Sequence, residues 1–289
     1  MKGRKKMEIK EFKEIFEKKA EEIFSELNLL EEIEKPFKYS FFAGGKRLRP
    51  WIIYNIGRYY NIEEEKLLRI GFAVEILHTA SLIHDDLPAI DNSNYRRGKL
   101  TNHKQFSEWQ AILTGDAGFV IPFKVFSNNF SIDESYKLTG FFSEIMLDLI
   151  QGEALDVAFE RGMILPSQKS VEEMYRKKTS ALFEFSFGVI PYLKDLKEEY
   201  QLMKKAGKNF GLAFQIYDDL KDKYGKFEEV GKDLNNDENK ITLIALYSDE
   251  KAKNYAEFLF KEANDILLKL GLKDFSNEIL KIKQLIERK

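Results

Sequence analysis

The stretch KLLRIGFAVEILHTASLIH, residues 66–84, limits the fold more than any other part of the chain. At helical periodicity it is apolar on nearly every face, and such a helix has to be buried on all sides. It therefore needs a shell of other elements around it. It also ends abruptly in DDLPAID, which places Asp85, Asp86 and Asp91 together with no cation among them. Carboxylates this close resist ionising together. Either they are solvated, or a positive charge from elsewhere is held between them.

The rest of the chain reads as that shell. EFKEIFEKKAEEIFSELNLLEEI alternates apolar residues at three and four with charges on the opposite face. Pro50 is placed to be the first residue of a helix through WIIYNIGRYY. Ser131 with Glu134, and Ser170 with Glu173, read as capping boxes that open two more helices. NYAEFLFKEANDILLKL and FSNEILKIKQLIER are amphipathic, and period-two alternation is scarce. The expectation is an all-α bundle of roughly a dozen helices. The six prolines are isolated and no Gly/Ser/Pro-rich linker divides the chain, so residues 1–289 are expected to form a single domain. Polar connections fall at 92–104, 160–169 and 221–240; the last is long enough to be a lid or binding segment.

Composition removes several function classes. Hydrophobic residues make up 44% of the 289 and charged residues 33%, which suits a globular chain with a sizeable core. A net charge of −2 supplies no global field for nucleic acid. The absence of cysteine excludes disulfides, thiolate catalysis and Cys-ligated zinc. The basic start MKGRKKMEIK lacks the apolar run of a signal peptide, and no run of about 18 uninterrupted apolar residues predicts a membrane span. A soluble, cytoplasmic protein is expected.

A second acidic cluster repeats the device. FGLAFQIYDDLKD ends an apolar helical run in Asp218 and Asp219, with Asp222 one turn after Asp218. A single Asp pair is usually a solvated helix end. Two, each at the expected end of a core helix, sit badly with the negative partial charge there unless a cation compensates. Carboxylates without cysteine suit hard cations such as Mg²⁺, which keeps several waters and bridges to substrate phosphate. Phosphate needs cations of its own. GGKRLRP supplies Lys46, Arg47 and Arg49, and NYRRGK supplies Arg96, Arg97 and Lys99. Glu75 and His78 have the Glu-x-x-His spacing of di-iron bundles, but no second such pair is found to complete that site. His78 then reads as a core histidine or as a diphosphate hydrogen-bond donor.

Taken together, GGKRLRP, DDLPAID, DDLKD and NKITL, in this order, resemble the trans-isoprenyl diphosphate synthase (polyprenyl synthetase) family over nearly the whole chain. DDLPAID is similar to the family's first aspartate-rich motif, in its longer form, and DDLKD to the second. The resemblance implies a helical bundle around a deep central cavity, usually a homodimer. It also implies the head-to-tail joining of isopentenyl diphosphate to an allylic diphosphate (dimethylallyl, geranyl or farnesyl). About three Mg²⁺ ions would neutralise the departing diphosphate. Carried over by residue, Asp85 and Asp91 coordinate two ions and Asp218 the third, with Asp86, Asp219 and Asp222 in support. Arg96, Lys178 and Lys232 hold the allylic diphosphate; Lys46, Arg49, His78 and Arg97 hold isopentenyl diphosphate. The main chain near Lys178, with Thr179 and Gln215, faces the carbocation. Lys226 competes with Lys232 for its role. Glu153, where the family usually has Gln, adds a negative charge near Asp156.

In such enzymes the residues just before the first motif form the floor of the product cavity. Here these are the small residues Ala80 and Ser81. An open Ala80 would put the floor deeper, at Leu77, Val74 or Phe119. That implies geranylgeranyl diphosphate (C20), with farnesyl diphosphate (C15) as the alternative. A class I terpene cyclase, a non-catalytic subunit of a heteromeric prenyl synthase, and an unrelated helical Mg²⁺-binding protein fit the motifs less well.

Overall fold

The computed structural model describes residues 7–224 and 241–287. Lys226 and Lys232 lie outside the described residues. Contacts gather the described residues into two compact units, 7–139 and 140–224 with 241–287. The fold is all-α, as expected; among the described residues the only strands are two of two residues each.

The first unit is organised around the apolar helix that carries residues 66–84. It contains α1 (Ile9–Leu27), α2 (Glu31–Phe41), α3 (Leu48–Tyr59), α4 (Glu64–Asp85), α6 (Glu108–Asn129) and the start of α7 (Ile132–Glu160). Every residue of α4 from Leu67 to Leu77 is buried. It packs mainly on α6 and α3, with α1 and α2 completing the shell. Phe24, Phe37, Phe41 and Phe72 meet in edge and tilted ring contacts at the centre. Each buried ring contributes roughly 1.5–3 kcal/mol of apolar transfer. Among the described residues α4 alone is long and apolar enough to cross a membrane, yet 78% of its most apolar window is buried inside the protein. It is a core helix. The α4–α6 approach is close: a Cβ on Gly118 would fall 2.5 Å from the Ala80 Cβ and 2.8 Å from the Phe37 ring.

Several boundaries differ from those expected. Helix α3 starts at Leu48, before Pro50, with Arg47 in a left-handed conformation at its N-cap. Proline is tolerated throughout a first turn, because the N–H it lacks has no helical partner there. The 92–104 connection holds a hairpin, β1 (Tyr95–Arg96) against β2 (Lys99–Leu100), and the short α5 (Asn102–Gln105). Ser170 is not a cap but the third helical residue of α8 (Gln168–Tyr175). Ser167 caps that helix, and the two serines form the reciprocal box between them. The Ser131–Glu134 box at α7 forms as expected.

The second unit contains the rest of α7, α8, a π-helical turn at Arg176–Ser180, α9 (Ala181–Leu193), α10 (Lys197–Tyr224), α11 (Leu243–Leu246), α12 (Asp249–Lys269) and α13 (Lys273–Glu287). Residues Ala181 to Pro191 of α9 are all buried, and α10 packs along both α9 and α12. Phe183, Phe187, Phe210 and Phe260 interlock between them. The aspartates of the second cluster do not end their helix. Helix α10 runs on to Tyr224, through the good helix formers of LKDKY. Its end is tied down by Lys223 to Asp249 at 2.8 Å and by the Tyr224 hydroxyl donating to Asp249.

Candidate active site

In the first unit the acidic motif forms at the C-terminus of α4. Asp85 is its last residue and Asp86 its C-cap. The chain then folds back: the Asp91 amide donates to the Asp85 carbonyl at 2.8 Å, and the Asn92 amide to the Leu87 carbonyl at 3.0 Å. The four residues between Asp86 and Asp91 form this turn, so the longer motif still returns its third aspartate to the first. Asp85 and Asp86 are buried, at 9% and 3% exposure, and Asp91 is half-buried.

A cation does stand among these carboxylates. The Arg96 Nε donates to both Asp86 oxygens, at 2.9 and 2.8 Å, and its Nη2 lies 2.8 Å from Oδ1. Burial nevertheless raises the Asp86 pKa above its ordinary value, and Asp91 adds to the effect against Arg96. Burial works against the Arg96 charge, but Asp86, Asp85 and Asp91 outweigh it and raise the guanidinium pKa. Arg96 thus answers all three acids. The sequence reading assigns it to the allylic diphosphate; its direct partner here is Asp86.

The basic runs meet in the same unit. Gly44 and Gly45 have φ of 112° and 126°, a region closed to most side chains. Their loop curls over Arg97, whose Nη1 donates to the Gly44 carbonyl. Arg97 and Gly98, both at positive φ, are the two central residues of the hairpin turn. Lys46 is exposed and Arg49 half-buried. Arg47, by contrast, is enclosed at 1% exposure. It donates to Glu75 at 2.7 Å, to the Phe41 carbonyl at 2.6 Å and to Glu17 at 3.2 Å. Of the three cations in GGKRLRP, Arg47 belongs to the core. Glu75 has this guanidinium as its partner, so it is one half of an ion pair with Arg47 rather than half of an iron site with His78. The His78 pKa is lowered well below the ordinary value, first by burial and then by Arg49, Arg97, Arg96 and Arg47. A neutral imidazole among arginine charges is a donor and acceptor suited to an anion.

The residues before the motif divide by face. Ala80 is fully buried against Gly118 and Phe37, so its small size is accounted for by helix packing. Phe119 stacks on His84, with ring centroids 5.7 Å apart, level with the Asp pair and not below it. Ser81 is half-buried and lies one turn before Asp85 on the same face; Leu77, a turn deeper, is buried.

In the second unit Gln215, Asp218, Asp219 and Asp222 form a stripe along α10, all half-buried. Thr179 Oγ1 donates to Gln215 Oε1 at 2.6 Å, and Gln215 Nε2 to Asp219 Oδ1 at 2.7 Å. Asp219 Oδ2 accepts from the Tyr175 hydroxyl. Asp219 is pushed up to about 7, chiefly by desolvation, with the Asp218 and Asp222 charges adding to it. Lys178 and Thr179 sit in the π-helical turn, a feature frequent at functional sites. Lys178 Nζ contacts Asp156 at 2.6 Å and Glu153 at 2.7 Å. Glu153, the departure from the family pattern, is therefore a second counter-charge for Lys178. Tyr175 and Arg47 have no signal in the sequence, since their partners lie 44 and 28 residues away.

Among the described residues no three acidic or histidine side chains close around a single point. Half-buried aspartates with desolvated neighbours fit a hard cation that completes its shell with water and phosphate oxygen.

Residues 30–269 match the sequence model of the polyprenyl synthetase family. The chain is 34% identical to the farnesyl diphosphate synthase of Bacillus subtilis over 263 residues, 88% of each chain. It is 33% identical to geranylgeranyl pyrophosphate synthase 3, chloroplastic, of Arabidopsis thaliana, covering 89% of this chain and 76% of the other. The fold matches a crystal structure of geranyltranstransferase from Thermotoga maritima with a TM-score of 0.83 and 40% identity, over 96% of this chain and 99% of that one. It also matches a Helicobacter pylori geranyltransferase complexed with magnesium and isoprenyl diphosphate, with a TM-score of 0.80 and 27% identity, over 97% and 99%. The matched residues carry both aspartate clusters and the basic loop that contacts Arg97, and the chain belongs to the polyprenyl synthetase family.

Proposed function

We propose that this trans-prenyltransferase condenses an allylic diphosphate with isopentenyl diphosphate in a Mg²⁺-dependent reaction, with geranylgeranyl diphosphate as its main product. The observation that carries the reading is the first unit's pairing of buried carboxylates, Asp85 and Asp86, with a cluster of arginines around a neutral His78. Such a site suits a diphosphate that arrives with its own cations. Asp85, Asp91 and Asp218 would hold Mg²⁺, with Asp86, Asp219 and Asp222 in support. Mg²⁺, when bound, neutralises the charge that develops on the departing diphosphate. Magnesium and isoprenyl diphosphate in the Helicobacter pylori relative support this choice.

The allylic C–O bond breaks and its electrons leave with the diphosphate. The double bond of isopentenyl diphosphate attacks the allylic carbon, and a proton passes from the new cation to the released diphosphate. Arg96, Lys178 and Lys232 hold the allylic diphosphate, and Arg96 also orients Asp86. Lys46, Arg49, His78 and Arg97 hold isopentenyl diphosphate. Thr179, Gln215 and the main chain of the π-turn offer oxygen dipoles to the carbocation. No strong side-chain base is required.

Ser81 and Leu77 form the product floor, because Ala80 faces α6. One helical turn rises 5.4 Å, about one isoprene unit. A small Ser81 leaves room beyond the fifteen-carbon chain, which favours C20; relatives named as farnesyl synthases support C15 as the second reading. Residues 1–289 act as one catalytic domain, a homodimer in the cytoplasm. Exposed Trp109, Ile112, Leu113 and Val120 on α6 support self-association, and the cysteine-free composition suits a reducing compartment.

The test is product analysis of the purified chain with Mg²⁺, isopentenyl diphosphate and labelled farnesyl diphosphate. A C20 product, lost with EDTA, is expected. Failure to elongate any allylic primer alone would favour the non-catalytic subunit and overturn the proposal. Ser81→Phe should shift the distribution one isoprene unit shorter; an unchanged distribution would remove Ser81 from the floor.

A further inference from the structure

Tyr175 is the last residue of α8 and is 3% exposed. A phenylalanine would fill the same volume, so the hydroxyl has to be accounted for by its partners. It donates to Asp219 Oδ2 and accepts from the Leu243 amide at 3.0 Å. The Leu243 N–H opens α11 and is one of the amides that a helix start leaves without an internal partner. Asp219 Oδ1 meanwhile accepts from Gln215, which in turn accepts from Thr179. The chain Thr179–Gln215–Asp219–Tyr175–Leu243 is continuous and lies wholly within the second unit. Both oxygens of Asp219 are oriented by it. Asp218, adjacent in sequence, points elsewhere by about a quarter turn of the helix.

We infer that Tyr175 is a positioning residue for the second aspartate cluster: its hydroxyl fixes Asp219 as an internal brace, so that Asp218, with Asp222 one turn on, meets Mg²⁺–diphosphate. The inference rests on the function proposed above and divides the cluster into a carboxylate that contacts the ion and one that acts through its neighbours. Removing the hydroxyl would leave a buried amide and an Asp219 oxygen without their partner. Asp219 would then be held through Gln215 alone, and the α10 stripe would lose its link to the start of α11.

The experiment compares Tyr175→Phe, Asp219→Asn, their double variant and Asp218→Asn with the wild type. Mg²⁺ is titrated calorimetrically in the presence of inorganic diphosphate, and kcat, both KM values and exchange of the Leu243 amide are measured. For Tyr175→Phe, apparent Mg²⁺ affinity and kcat should each fall about tenfold, as when a partner that orients a ligand is lost. The KM for isopentenyl diphosphate should stay unchanged, and Leu243 should exchange faster. Asp219→Asn should match that loss and the double variant add nothing to it, whereas Asp218→Asn should remove the ion assigned to the second cluster and leave those assigned to Asp85 and Asp91. A Tyr175→Phe protein with wild-type Mg²⁺ affinity and kcat overturns the inference, whatever its melting temperature. So do losses from Tyr175→Phe and Asp219→Asn that simply add. If the wild type elongates no primer yet Tyr175→Phe weakens the Mg²⁺ titration, the prenyltransfer reading fails and the brace stands. If the wild type elongates and the variant titrates as wild type, only the brace fails.

Discussion

Two neighbouring arginines in the first unit have opposite roles. Arg47 is enclosed and pairs with Glu75 and Glu17, while Arg49, two residues on, contributes to the field at His78. The left-handed N-cap conformation of Arg47 separates them by turning the chain before α3 begins. A planar guanidinium with several donors is what allows Arg47 to serve two carboxylates and a carbonyl together. Asp85 has a different balance. It is buried beside Asp86 and Asp91, and Arg96 is one cation answering three acids. Asp85→Ala should therefore lower kcat/KM about a hundredfold or more while the melting temperature without ligand stays level or rises. Paired activity and thermal-melt measurements check this; a large loss of stability would contradict it.

At the scale of elements, the informative contact is α4 against α6. Ala80 and Gly118 face each other across it, with no room for a Cβ on Gly118. Gly118→Val would press on Ala80 and Phe37 and should cost about 1–3 kcal/mol, read as a lower melting temperature. Because the Asp pair ends α4, the same variant should also raise the KM for the allylic substrate; unaltered stability would show that the helices can separate without strain. Element boundaries followed different rules. The Ser131 cap was legible because Glu134 lies in the third helical position. The Ser167 cap was not, since a serine in that position replaces the usual Glu or Gln. The hairpin at Tyr95–Leu100 was hidden because its turn uses Arg97 at a positive φ normally taken by Asn, Asp or Gly.

The whole molecule brings the proposed oligomer into view. Trp109, Ile112, Leu113 and Val120 leave an apolar stripe of α6 in solvent, at 55%, 44%, 47% and 65% exposure. Sedimentation should give twice the 33.9 kDa chain mass, and Val120→Glu with Ile112→Glu should reduce it to a monomer. A wild-type monomer would end the dimer proposal. What the sequence by itself determined was the all-α class, the buried course of α4 and the two acidic clusters. Helical periodicity and runs of aspartate are local properties, so they can be read without knowing what lies nearby. Tertiary structure alone decided that Arg47 is a core residue, that Ala80 is small for packing, that Arg96 pairs with Asp86 and that Tyr175 holds Asp219. Each of these is a contact that no helical or strand period links, from ten residues apart for Arg96 and Asp86 to 44 for Tyr175 and Asp219, and burial determines whether a charge or a small side chain faces ligand or core.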